Sequence, residues 1–420
     1  MKTSAGSKKS VTVNRCRACG TSGLYSYLDL GKTPLANSYL NKADLALKEF
    51  TEELRLQLCS RCGLSQLTKV VHPDRMFRHY LYVSSTSATM RKHFDELALS
   101  AVTVAGAVPG DMAIDIASND GCLLNAFEKL GLKIRGVDPA KNLAKEANAR
   151  GLKTLNAYWS LATAKTLVAE SGKAKVITAT NVFAHAHDLK GFIAGVRFAL
   201  APAGVFIVEC PYLPDFIKRC EFDTSYHEHL SYFGATPLKT LMERNGMAVF
   251  DIERFADIHG GTIRVYCSLK GARKPRPTVS EYLAREKKFG IRERRRYDGF
   301  ARRIQANRKA LIGLVDGLVR GKKKIWAYGA GAKGNTLVNF FGLDSDSIPA
   351  VIDDNPKKWG LYTPGGRMRV VSVNALKKEK VDVLLLLAWN FEKEIRMRCR
   401  AAGFTGRFLI PVPEARLLAS

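Results

Sequence analysis

The stretch Met112-Ala-Ile-Asp-Ile-Ala-Ser-Asn-Asp-Gly121 decides the fold. Its first five residues are apolar enough for a buried strand, and residues 122–130 predict a helix directly after the turn. A strand, a turn of small residues with an acidic side chain, and a helix form the entry to a doubly wound nucleotide site, where backbone amides approach the ligand closely. The candidate cofactor contacts in this stretch are Asp115, Ala117, Asn119 and Gly121.

The segments that follow extend the same sheet. Residues 133–137 predict a second strand that ends at Asp138, whose carboxylate can accept hydrogen bonds from ribose hydroxyls; capping of the next helix is the alternative. Further strands are predicted at 175–180, which leads into the cofactor candidate Asn181, and at 205–208. Because the first turn lacks the Gly-x-Gly set that binds a pyrophosphate, an adenosine without pyrophosphate fits better than NAD. S-adenosylmethionine is the plainest such ligand.

Two Cys-x-x-Cys pairs, Cys16/Cys19 and Cys59/Cys62, precede this sheet, and each is followed by glycine. Two residues between thiolates let both sulfurs reach one tetrahedral ion, and glycine lets backbone amides approach the sulfurs. Four sulfur ligands leave no open position, so we predict a structural zinc ion without a catalytic role. A redox or incidental arrangement is the alternative.

The densest run of titratable side chains is Tyr226-His-Glu-His229. Imidazole titrates near working pH, so it suits a general base that removes a proton from a carbon next to a ketone. A phenol or a second histidine can hold the enolate oxygen. A second metal site and a polar loop packed for structure are the alternatives.

A hydroxyl-rich segment, Tyr80-Leu-Tyr-Val-Ser-Ser-Thr-Ser87, connects the cysteine-rich part to the first strand. Its two tyrosines and four further hydroxyls have two interpretations. They bind a sugar, or they cap the helix that begins near Ala88.

A second nucleotide fold is predicted near the end of the chain. Residues 324–328 form a strand, and Gly329-Ala-Gly-Ala-Lys-Gly334 opens the next helix, which matches Gly-x-Gly-x-x-Gly in the context that this motif requires. Residues 349–353 predict a second strand with an acidic end, and residues 383–387 a buried central strand. The direct interpretation is a dinucleotide cofactor. Residues 354–365 form either a ligand contact or a structural turn.

Together these motifs resemble the sugar C-methyltransferase family of deoxysugar biosynthesis, which adds methyl branches to nucleotide-linked 4-keto-deoxyhexoses. The matches follow one another along nearly the whole chain. They are the two cysteine pairs, the Tyr-x-Tyr-x-Ser-Ser-Thr-Ser segment, Ala117-Ser-Asn-Asp-Gly121, Asn181-Val-Phe-Ala-His185, Tyr226-His-Glu-His-x-Ser-Tyr-Phe233, His259-Gly-Gly-Thr-Ile-Arg264 and the C-terminal Gly-rich turn.

The resemblance implies an α/β protein of three parts, with the sugar held between the last two. These parts are an N-terminal zinc-binding module, a central Rossmann-like S-adenosylmethionine domain and a C-terminal Rossmann-like domain that binds the nucleotide of the substrate. We predict boundaries at 11–75, 76–270, 271–320 for a helical connector, and 321–420.

The resemblance also implies roles for individual residues. The base falls on His229, with Glu228 as its neighbour and Tyr80, His185 and Tyr226 around the sugar. His229 would remove the C3 proton, the C4 ketone would take up the charge, and the carbanion would attack the sulfonium methyl in line. Further substrate contacts are expected from Tyr82, His227, His259, Arg264, Lys333 and Tyr328.

The composition bounds the partners. The chain has 420 residues, 46% of them hydrophobic, and a formal net charge of +27. Basic residues crowd into 273–324, where they alternate with apolar positions as on a solvated helix face; attraction of a phosphate-bearing ligand is the alternative. No apolar stretch of about 18 residues occurs, so we expect a cytoplasmic protein with reduced thiols and no membrane partner.

Two other functions compete with the sugar enzyme. A zinc-containing RNA methyltransferase fits the basic charge, but Asn181 leads into Val-Phe-Ala-His and not into the Pro-Pro-aromatic turn of amino-methylating enzymes. We therefore do not expect nucleic acid as the partner. An NAD-dependent oxidoreductase that uses Gly329 to Gly334 would leave the cluster of Tyr226 to His229 without a role. The sequence leaves open dTDP or GDP as the nucleotide, the deoxyhexose, C3 or C5 as the methylated carbon, and the oligomeric state.

Overall fold

The structure is a computed structural model that describes residues 10–77, 85, 88–258 and 260–419. Within these ranges the strands form four sheets, of two, four, seven and six strands. The two large sheets are mainly parallel and carry helices, and the two small sheets lie near the cysteines. The predicted fold class, α/β with a zinc-binding module and two Rossmann-like units, is confirmed.

The first part of the chain forms two small sheets. Its strands are β1 (Ser10–Thr12), β2 (Tyr25–Pro34), β3 (Thr51–Leu58), β4 (Ser65–Leu67) and β5 (Lys69–Val71). β2, β3 and β4 are antiparallel neighbours in one sheet, and β1 pairs with β5. The first cysteine pair precedes β2, and the second follows β3. Because Tyr25 pairs with Leu58, both cysteine turns lie at the same end of this sheet.

The central part alternates strands and helices. Its strands are β6 (Met112–Ile116), β7 (Lys133–Val137), β8 (Thr154–Leu155), β9 (Ala174–Thr180), β10 (Leu200–Pro211), β11 (Ser231–Tyr232), β12 (Met247–Phe255) and β13 (Thr262–Leu269). Its helices are α1 (Ala88–Ala105), α2 (Cys122–Lys129), α3 (Lys141–Ala149), α4 (Leu161–Ser171), α5 (Leu189–Ala199), α6 (Leu213–Lys218) and α7 (Ala235–Arg244). The predicted strands at 112–116 and 133–137 have the observed bounds.

The central sheet has the order β12-β13-β10-β9-β6-β7-β8. Its last five strands are parallel and follow the doubly wound order, and β12 and β13 add an antiparallel hairpin at one edge. The order reverses between β6 and β9, and ligands of such sheets bind outside the carboxyl ends of the strands at that point. The turns after β6 and β9 therefore face the expected cofactor site.

Two helices connect the large sheets, α8 (Pro277–Phe289) and α9 (Arg294–Arg320). The buried side chains of α9 recur every three or four positions, and the ring centroids of Tyr297 and Tyr27 lie 4.8 Å apart, so this face packs on the sheet of β2 to β4. Arg292 and Arg294 to Arg296 are exposed. Much of the basic charge of this segment thus lies on the solvent side of the connector.

The last part of the chain forms a second doubly wound sheet. Its elements are β14 (Ile325–Tyr328), α10 (Ala332–Phe341), β15 (Ala350–Ile352), β16 (Arg369–Val371), β17 (Val383–Leu386), α11 (Glu392–Ala401), β18 (Arg407–Ile410) and β19 (Arg416–Leu417). The order β16-β15-β14-β17-β18-β19 is that of the Rossmann fold, with only β19 antiparallel. Its strand order reverses between β14 and β17.

Short 3-10 helices and one shared strand complete the fold. The 3-10 helices are Lys42–Ala46, Pro73–Arg75, Phe183–His185, Phe222–Thr224, Pro356–Lys358, Val373–Lys377 and Trp389–Phe391. β11 lies in the central part of the chain but pairs with β4, so it joins the sheet next to the cysteines. The division of the chain at residues 75, 270 and 320 stays a prediction. Among the described residues, no helix combines the length and apolar character needed to cross a membrane.

The glycines of the Gly-rich turn allow a prediction. A Cβ on Gly334 would lie 2.2 Å from the carbonyl oxygen of Gly329, whereas a Cβ on Gly331 would have open space. We expect Gly334→Ala to lower the free energy of unfolding by about 1–3 kcal/mol through overpacking, and Gly331→Ala to change it by less than about 0.5 kcal/mol. Thermal unfolding followed by circular dichroism measures both. Equal melting curves for the two variants would contradict this packing.

Candidate active site

The four cysteine sulfurs lie close enough together to bind one metal ion. All lie within 4.8 Å of one another, and the Sγ atoms of Cys16 and Cys62, and of Cys19 and Cys59, are 3.5 Å apart. A tetrahedral ion with Zn–S bonds of about 2.3 Å needs sulfurs about 3.8 Å apart. The four buried thiols fit a structural zinc ion and leave no position open for a substrate.

Each cysteine turn is closed by a glycine. Gly20 N donates to the carbonyl of Cys16, and Gly63 N donates to the carbonyl of Cys59, both at 2.8 Å. The glycine φ angles are 76° and 81°, a conformation that residues with a side chain rarely adopt. These turns bring the two thiols of each pair to the same point.

The first cysteine turn also holds loops of the candidate active site. Arg17 Nε donates to Ser231 Oγ at 3.0 Å, and an Arg17 terminal nitrogen donates to the carbonyl of Ala186. Burial lowers the pKa of Arg17 to about 10. Ala186 directly follows His185, and Ser231 comes two residues after His229. A folded cysteine turn therefore fixes the chain next to both histidines.

The expected cofactor site has an unusual backbone. Three non-glycine residues adopt positive φ after β6 and β9, namely Ala117, Asn119 and Asn181 at 53–59°. Such conformations cost energy and gather at ligand sites. Gly121 has a φ of 82°, and a Cβ there would lie 2.5 Å from the side chain of Leu152. Three predicted cofactor residues, Ala117, Asn119 and Gly121, thus form one narrow turn after β6, and Asn181 begins the turn after β9 at the same carboxyl edge of the sheet.

Two orphaned polar atoms support a ligand at this turn. Ser118 Oγ and Asp120 Oδ1 are buried and have no hydrogen-bond partner in the part of the chain that the structure describes. Buried polar groups are normally paired, so such atoms at a candidate site call for a polar ligand. The turn therefore fits the amino-acid and ribose groups of S-adenosylmethionine.

Asp138 connects the turn after β6 to the turn after β7. Its two carboxylate oxygens accept hydrogen bonds from Asn119 N at 2.9 Å and Ala140 N at 2.8 Å, and burial raises its pKa to about 6. The second bond lies within the turn before α3. Ala140 is the N-cap of that helix and no side chain caps it, so Asp138 is not the helix cap that the sequence offered as the alternative. Contact of Asp138 with ribose stays a prediction.

Asp115 lies in the middle of the sheet. Thr178 Oγ1 donates to Asp115 Oδ1 at 2.7 Å, which ties β6 to β9, and burial raises the pKa of Asp115 to about 7. The contact joins the two strands between which the sheet order reverses. Direct contact of Asp115 with the cofactor stays a prediction.

The candidate base, His229, is held at both ring nitrogens. His229 Nδ1 lies 2.7 Å from the carbonyl oxygen of Thr224, and Nε2 lies 2.9 Å from the hydroxyl of Tyr226. A carbonyl only accepts hydrogen bonds, so Nδ1 carries the proton and Nε2 accepts from Tyr226. In a neutral imidazole, these partners leave Nε2 as the basic nitrogen.

His185 lies beside His229, with the ring centroids 4.8 Å apart. Burial and the nearby His229 hold the pKa of His185 well below its ordinary value. Its Nε2 is buried without a hydrogen-bond partner among the described residues. The structure thus brings together three of the predicted catalytic residues, His185, Tyr226 and His229.

Glu228 and His227 face in different directions. The buried carboxylate of Glu228 accepts a hydrogen bond from Asn37 Nδ2 at 2.7 Å and borders a cavity of about 170 Å³. His227 is buried, and its Nε2 lies 3.2 Å from the carbonyl oxygen of Glu52 in β3. Glu228 therefore lines an open space, whereas His227 contacts the sheet of the cysteine-rich part.

The remaining predicted substrate contacts are dispersed. Arg264 Nε donates to Glu209 at 2.8 Å, and Glu209 also bonds His93 at 2.6 Å, so Arg264 belongs to a buried ionic cluster. The hydroxyl of Tyr328 donates to Asp354 at 2.7 Å. Three further predicted residues lie outside the described residues: Tyr80, Tyr82 and His259.

Two buried acids that the sequence motifs did not reveal lie just before the reactive cluster. Asp223 is fully buried, and its Oδ2 accepts from Trp389 Nε1 at 2.7 Å and lies 3.5 Å from Lys333 Nζ. Glu221 is also buried, and burial raises its pKa to about 7. Both acids lie within eight residues of His229, but single acids in a loop form no recognisable pattern. Their proximity to the cluster was the available signal.

The doubly wound sheet ends in an antiparallel hairpin and has a strained turn after β6, and this architecture is that of an S-adenosylmethionine-dependent methyltransferase. Three family models match: "Putative zinc binding domain" over residues 16–77, "Methyltransferase domain" over 90–251, and "C-methyltransferase C-terminal domain" over 257–413. C-methyltransferase NovU of Streptomyces niveus is 37% identical over 412 residues, 97% of each chain. The chain belongs to the C-methyltransferase family, which confirms the resemblance of its motifs.

Two solved structures are similar to part of the chain. The PH0226 protein of Pyrococcus horikoshii OT3 has 16% identity and a TM-score of 0.37, covering 47% of this chain and 97% of its own. Magnesium protoporphyrin IX methyltransferase of Synechocystis PCC 6803, with bound SAM, has 12% identity and a TM-score of 0.32, covering 42% and 78%.

The cysteine geometry predicts that Cys59→Ser loses the metal. Wild type should hold about one zinc ion per chain, and the variant should lose most of it together with the fold of the cysteine turns. Zinc is measured by atomic absorption, and folding by the melting temperature. Cys122→Ser, which changes a half-buried cysteine beside the central sheet, is the control and should keep its zinc. Full zinc occupancy in Cys59→Ser would rule out the four-sulfur site.

The contacts of Asp138 predict that Asp138→Asn weakens cofactor binding. An amide retains one acceptor oxygen but turns an NH₂ group towards a backbone N–H, so residue 138 loses one of its two hydrogen bonds to backbone amides. We expect the Kd for S-adenosylmethionine to rise about tenfold, or about 1.4 kcal/mol, in isothermal titration calorimetry. The control is Asp111→Asn, because Asp111 also accepts a backbone amide but lies just before β6, at the opposite edge of the sheet. An unchanged Kd in Asp138→Asn would contradict this role.

Proposed function

We propose that this C-methyltransferase transfers the methyl group of S-adenosylmethionine to a nucleotide-linked 4-keto-deoxysugar, at C3 of the sugar. The observation that carries the proposal is the pair of contacts of His229, whose Nδ1 lies 2.7 Å from the carbonyl oxygen of Thr224 and whose Nε2 lies 2.9 Å from the hydroxyl of Tyr226. A carbon next to a ketone is acidic enough for such a base, whereas an unactivated sugar carbon is not. The similarity to another C-methyltransferase over 97% of the chain supports carbon as the acceptor atom.

His229 acts first in the proposed reaction. Nε2 takes the proton from C3, and the electron pair of the C–H bond passes to the C4 ketone as an enolate. Tyr226 turns its hydroxyl from Nε2 towards the substrate oxygen, where it stabilises the negative charge. His185, neutral and next to His229, offers a second polar group for the same oxygen.

The cofactor supplies an electrophilic methyl group on a positively charged sulfur. The enolate carbon forms the new carbon–carbon bond to this methyl while the carbon–sulfur bond breaks. His229 then releases its proton to solvent and returns to the neutral state. The contribution of the protein is to align the two reactants and to remove one proton.

The substrate contacts beyond the catalytic cluster are part of this proposal. Glu228 borders the cavity of about 170 Å³ and can accept hydrogen bonds from sugar hydroxyls. Lys333 lies beside the loop of the cluster, and its charge suits a diphosphate. Contact with the substrate is also proposed for the remaining predicted residues, Tyr80, Tyr82, His227, His259, Arg264 and Tyr328. We propose dTDP or GDP as the nucleotide.

A methyl-transfer assay tests the proposal. Labelled S-adenosylmethionine is offered with a panel of dTDP- and GDP-linked 4-keto-6-deoxysugars, to wild type and to His229→Asn, and the methylated carbon is identified by NMR. We expect label at C3 and a loss of kcat of at least about 10²-fold in the variant, since a positioned base contributes about 10²- to 10⁴-fold.

The controls separate the other functions. His72→Asn changes an exposed histidine and should retain wild-type activity. Transfer RNA and ribosomal RNA are offered in parallel, because the exposed arginines before and in α9 are the feature that an RNA enzyme would use. Label on RNA that is unaffected by His229→Asn would overturn the sugar proposal, and label at C5 would overturn the proposed position.

A further inference from the structure

The C-terminal unit grips the loop that precedes the catalytic histidine. Asp223 lies in the central part of the chain, but both partners of its Oδ2 come from the C-terminal unit: Trp389 at 2.7 Å and Lys333 at 3.5 Å. Trp389 follows β17, and Lys333 lies in the first turn of α10, after β14. These strands flank the reversal of the strand order, where a Rossmann fold normally holds its ligand. A carboxylate of the chain itself lies at this crevice.

The same crevice also holds residues 36–39, the segment that bonds Glu228. Asn335 Nδ2, in α10, donates to the carbonyl of Ala36 at 2.7 Å, and the hydroxyl of Tyr39 donates to the carbonyl of Ala330 in the Gly-rich turn. Between these two anchors, Asn37 donates its side-chain amide to Glu228 at 2.7 Å. The segment 36–39 is thus fixed by the C-terminal unit on both sides of Asn37.

Polar groups near the second strand end of this crevice already contact other residues of the chain. Lys358 Nζ donates to the carbonyl of Ala330 at 2.9 Å and lies 3.3 Å from Asp353, the acidic strand end that would bond a ribose in a dinucleotide site. The same ammonium lies 5.4 Å from the ring centroid of Tyr39. The acidic strand end of this crevice is therefore paired within the chain.

We propose that the C-terminal unit positions His229 and its neighbour Glu228, with Asp223 as the positioning residue for His229 and Asn37 as that for Glu228. The inference rests on the proposed function, because it needs His229 as the base. Asp223 directly precedes Thr224, and the carbonyl of Thr224 is the acceptor that keeps the proton on His229 Nδ1. Fixing Asp223 therefore fixes the tautomer of His229.

The chain between these residues is stiff enough to transmit a displacement. Asp223 and Thr224 belong to the 3-10 helix Phe222–Thr224, and the ring of Phe222 packs 5.1 Å from that of Phe340 in α10. Ser225 N closes this turn with a hydrogen bond to the carbonyl of Phe222 at 2.9 Å. A misplacement of about 1 Å at a reacting group can cost about 10²-fold in rate. Loss of either anchor on Asp223 should therefore lower kcat.

The test compares isosteric variants in the methyl-transfer assay. Asp223→Asn keeps an acceptor for Trp389 but loses the charge that attracts Lys333, and we expect kcat to fall about 10- to 100-fold with KM changed by less than about twofold. Asn37→Ala should also lower kcat and leave KM nearly unchanged. Asp251→Asn is the matched control, since Asp251 is a buried acid paired with Arg276 at 2.6 Å and far in sequence from the loop. It should keep the wild-type kcat.

A second measurement reads the tautomer directly. In protein labelled with ¹⁵N-histidine, the His229 signals, identified by their loss in His229→Asn, should report a proton on Nδ1 in wild type and a mixture of tautomers in Asp223→Asn. A merely structural role of Asp223 would lower the melting temperature without changing these signals. If Asp223→Asn does not fold, Trp389→Phe removes one hydrogen bond from the same carboxylate and should change kcat and the tautomer in the same direction.

A double variant at Lys333 and Asp223 tests the positioning role separately from the proposed function. If Lys333 acts through Asp223, Lys333→Met in the Asp223→Asn background should lower kcat no further than Asp223→Asn alone. Activity that survives His229→Asn would overturn the proposed function, whatever Asp223 does. Loss of activity in His229→Asn together with wild-type kcat and tautomer in both Asp223→Asn and Trp389→Phe would overturn the positioning role alone.

Discussion

The hydrogen bond from His229 Nδ1 to the carbonyl of Thr224 determines which nitrogen of the imidazole is basic. With the proton on Nδ1, Nε2 is left as an acceptor, and Tyr226 occupies it in the absence of substrate. The carbonyl of Thr224 is an uncharged acceptor, and the buried neighbour His185, whose pKa lies well below its ordinary value, adds no positive charge. The chemistry open to this site follows from that choice of partner.

All three parts of the fold meet at the loop that carries this bond. The cysteine-rich part contributes Arg17, which contacts Ser231 and Ala186, and β4, which pairs with β11 directly after the catalytic cluster. The C-terminal unit contributes Trp389 and Lys333, which contact the carboxylate of Asp223. A structural zinc ion therefore has a reason to occur in a methyltransferase of this kind, since it stabilises a turn that holds the loop. In the proposed reaction the metal would not contact the substrate, and its contribution would be to hold the loop that carries His229.

Much of this architecture follows from local sequence patterns. The strands at 112–116 and 133–137 have the predicted bounds, and the four cysteines lie as their spacing requires. Local patterns cannot reveal which distant groups meet. Asn37 and Glu228 are 191 positions apart, and Asp223 and Trp389 are 166 apart, so neither contact leaves a periodic trace. Arg264 illustrates the same limit, because its motif did not reveal that its Nε bonds Glu209, which also bonds His93.

Proton exchange tests the central claim, that His229 deprotonates the sugar carbon, most directly. The enzyme is incubated with a nucleotide-linked 4-keto-6-deoxysugar in D₂O, with S-adenosylhomocysteine in place of the methyl donor, and the C3 proton is followed by ¹H NMR. The account predicts that wild type replaces this proton by deuterium without methyl transfer and that His229→Asn leaves it in place. Exchange at an equal rate in the variant, or no exchange with a substrate that wild type methylates, would contradict deprotonation by His229.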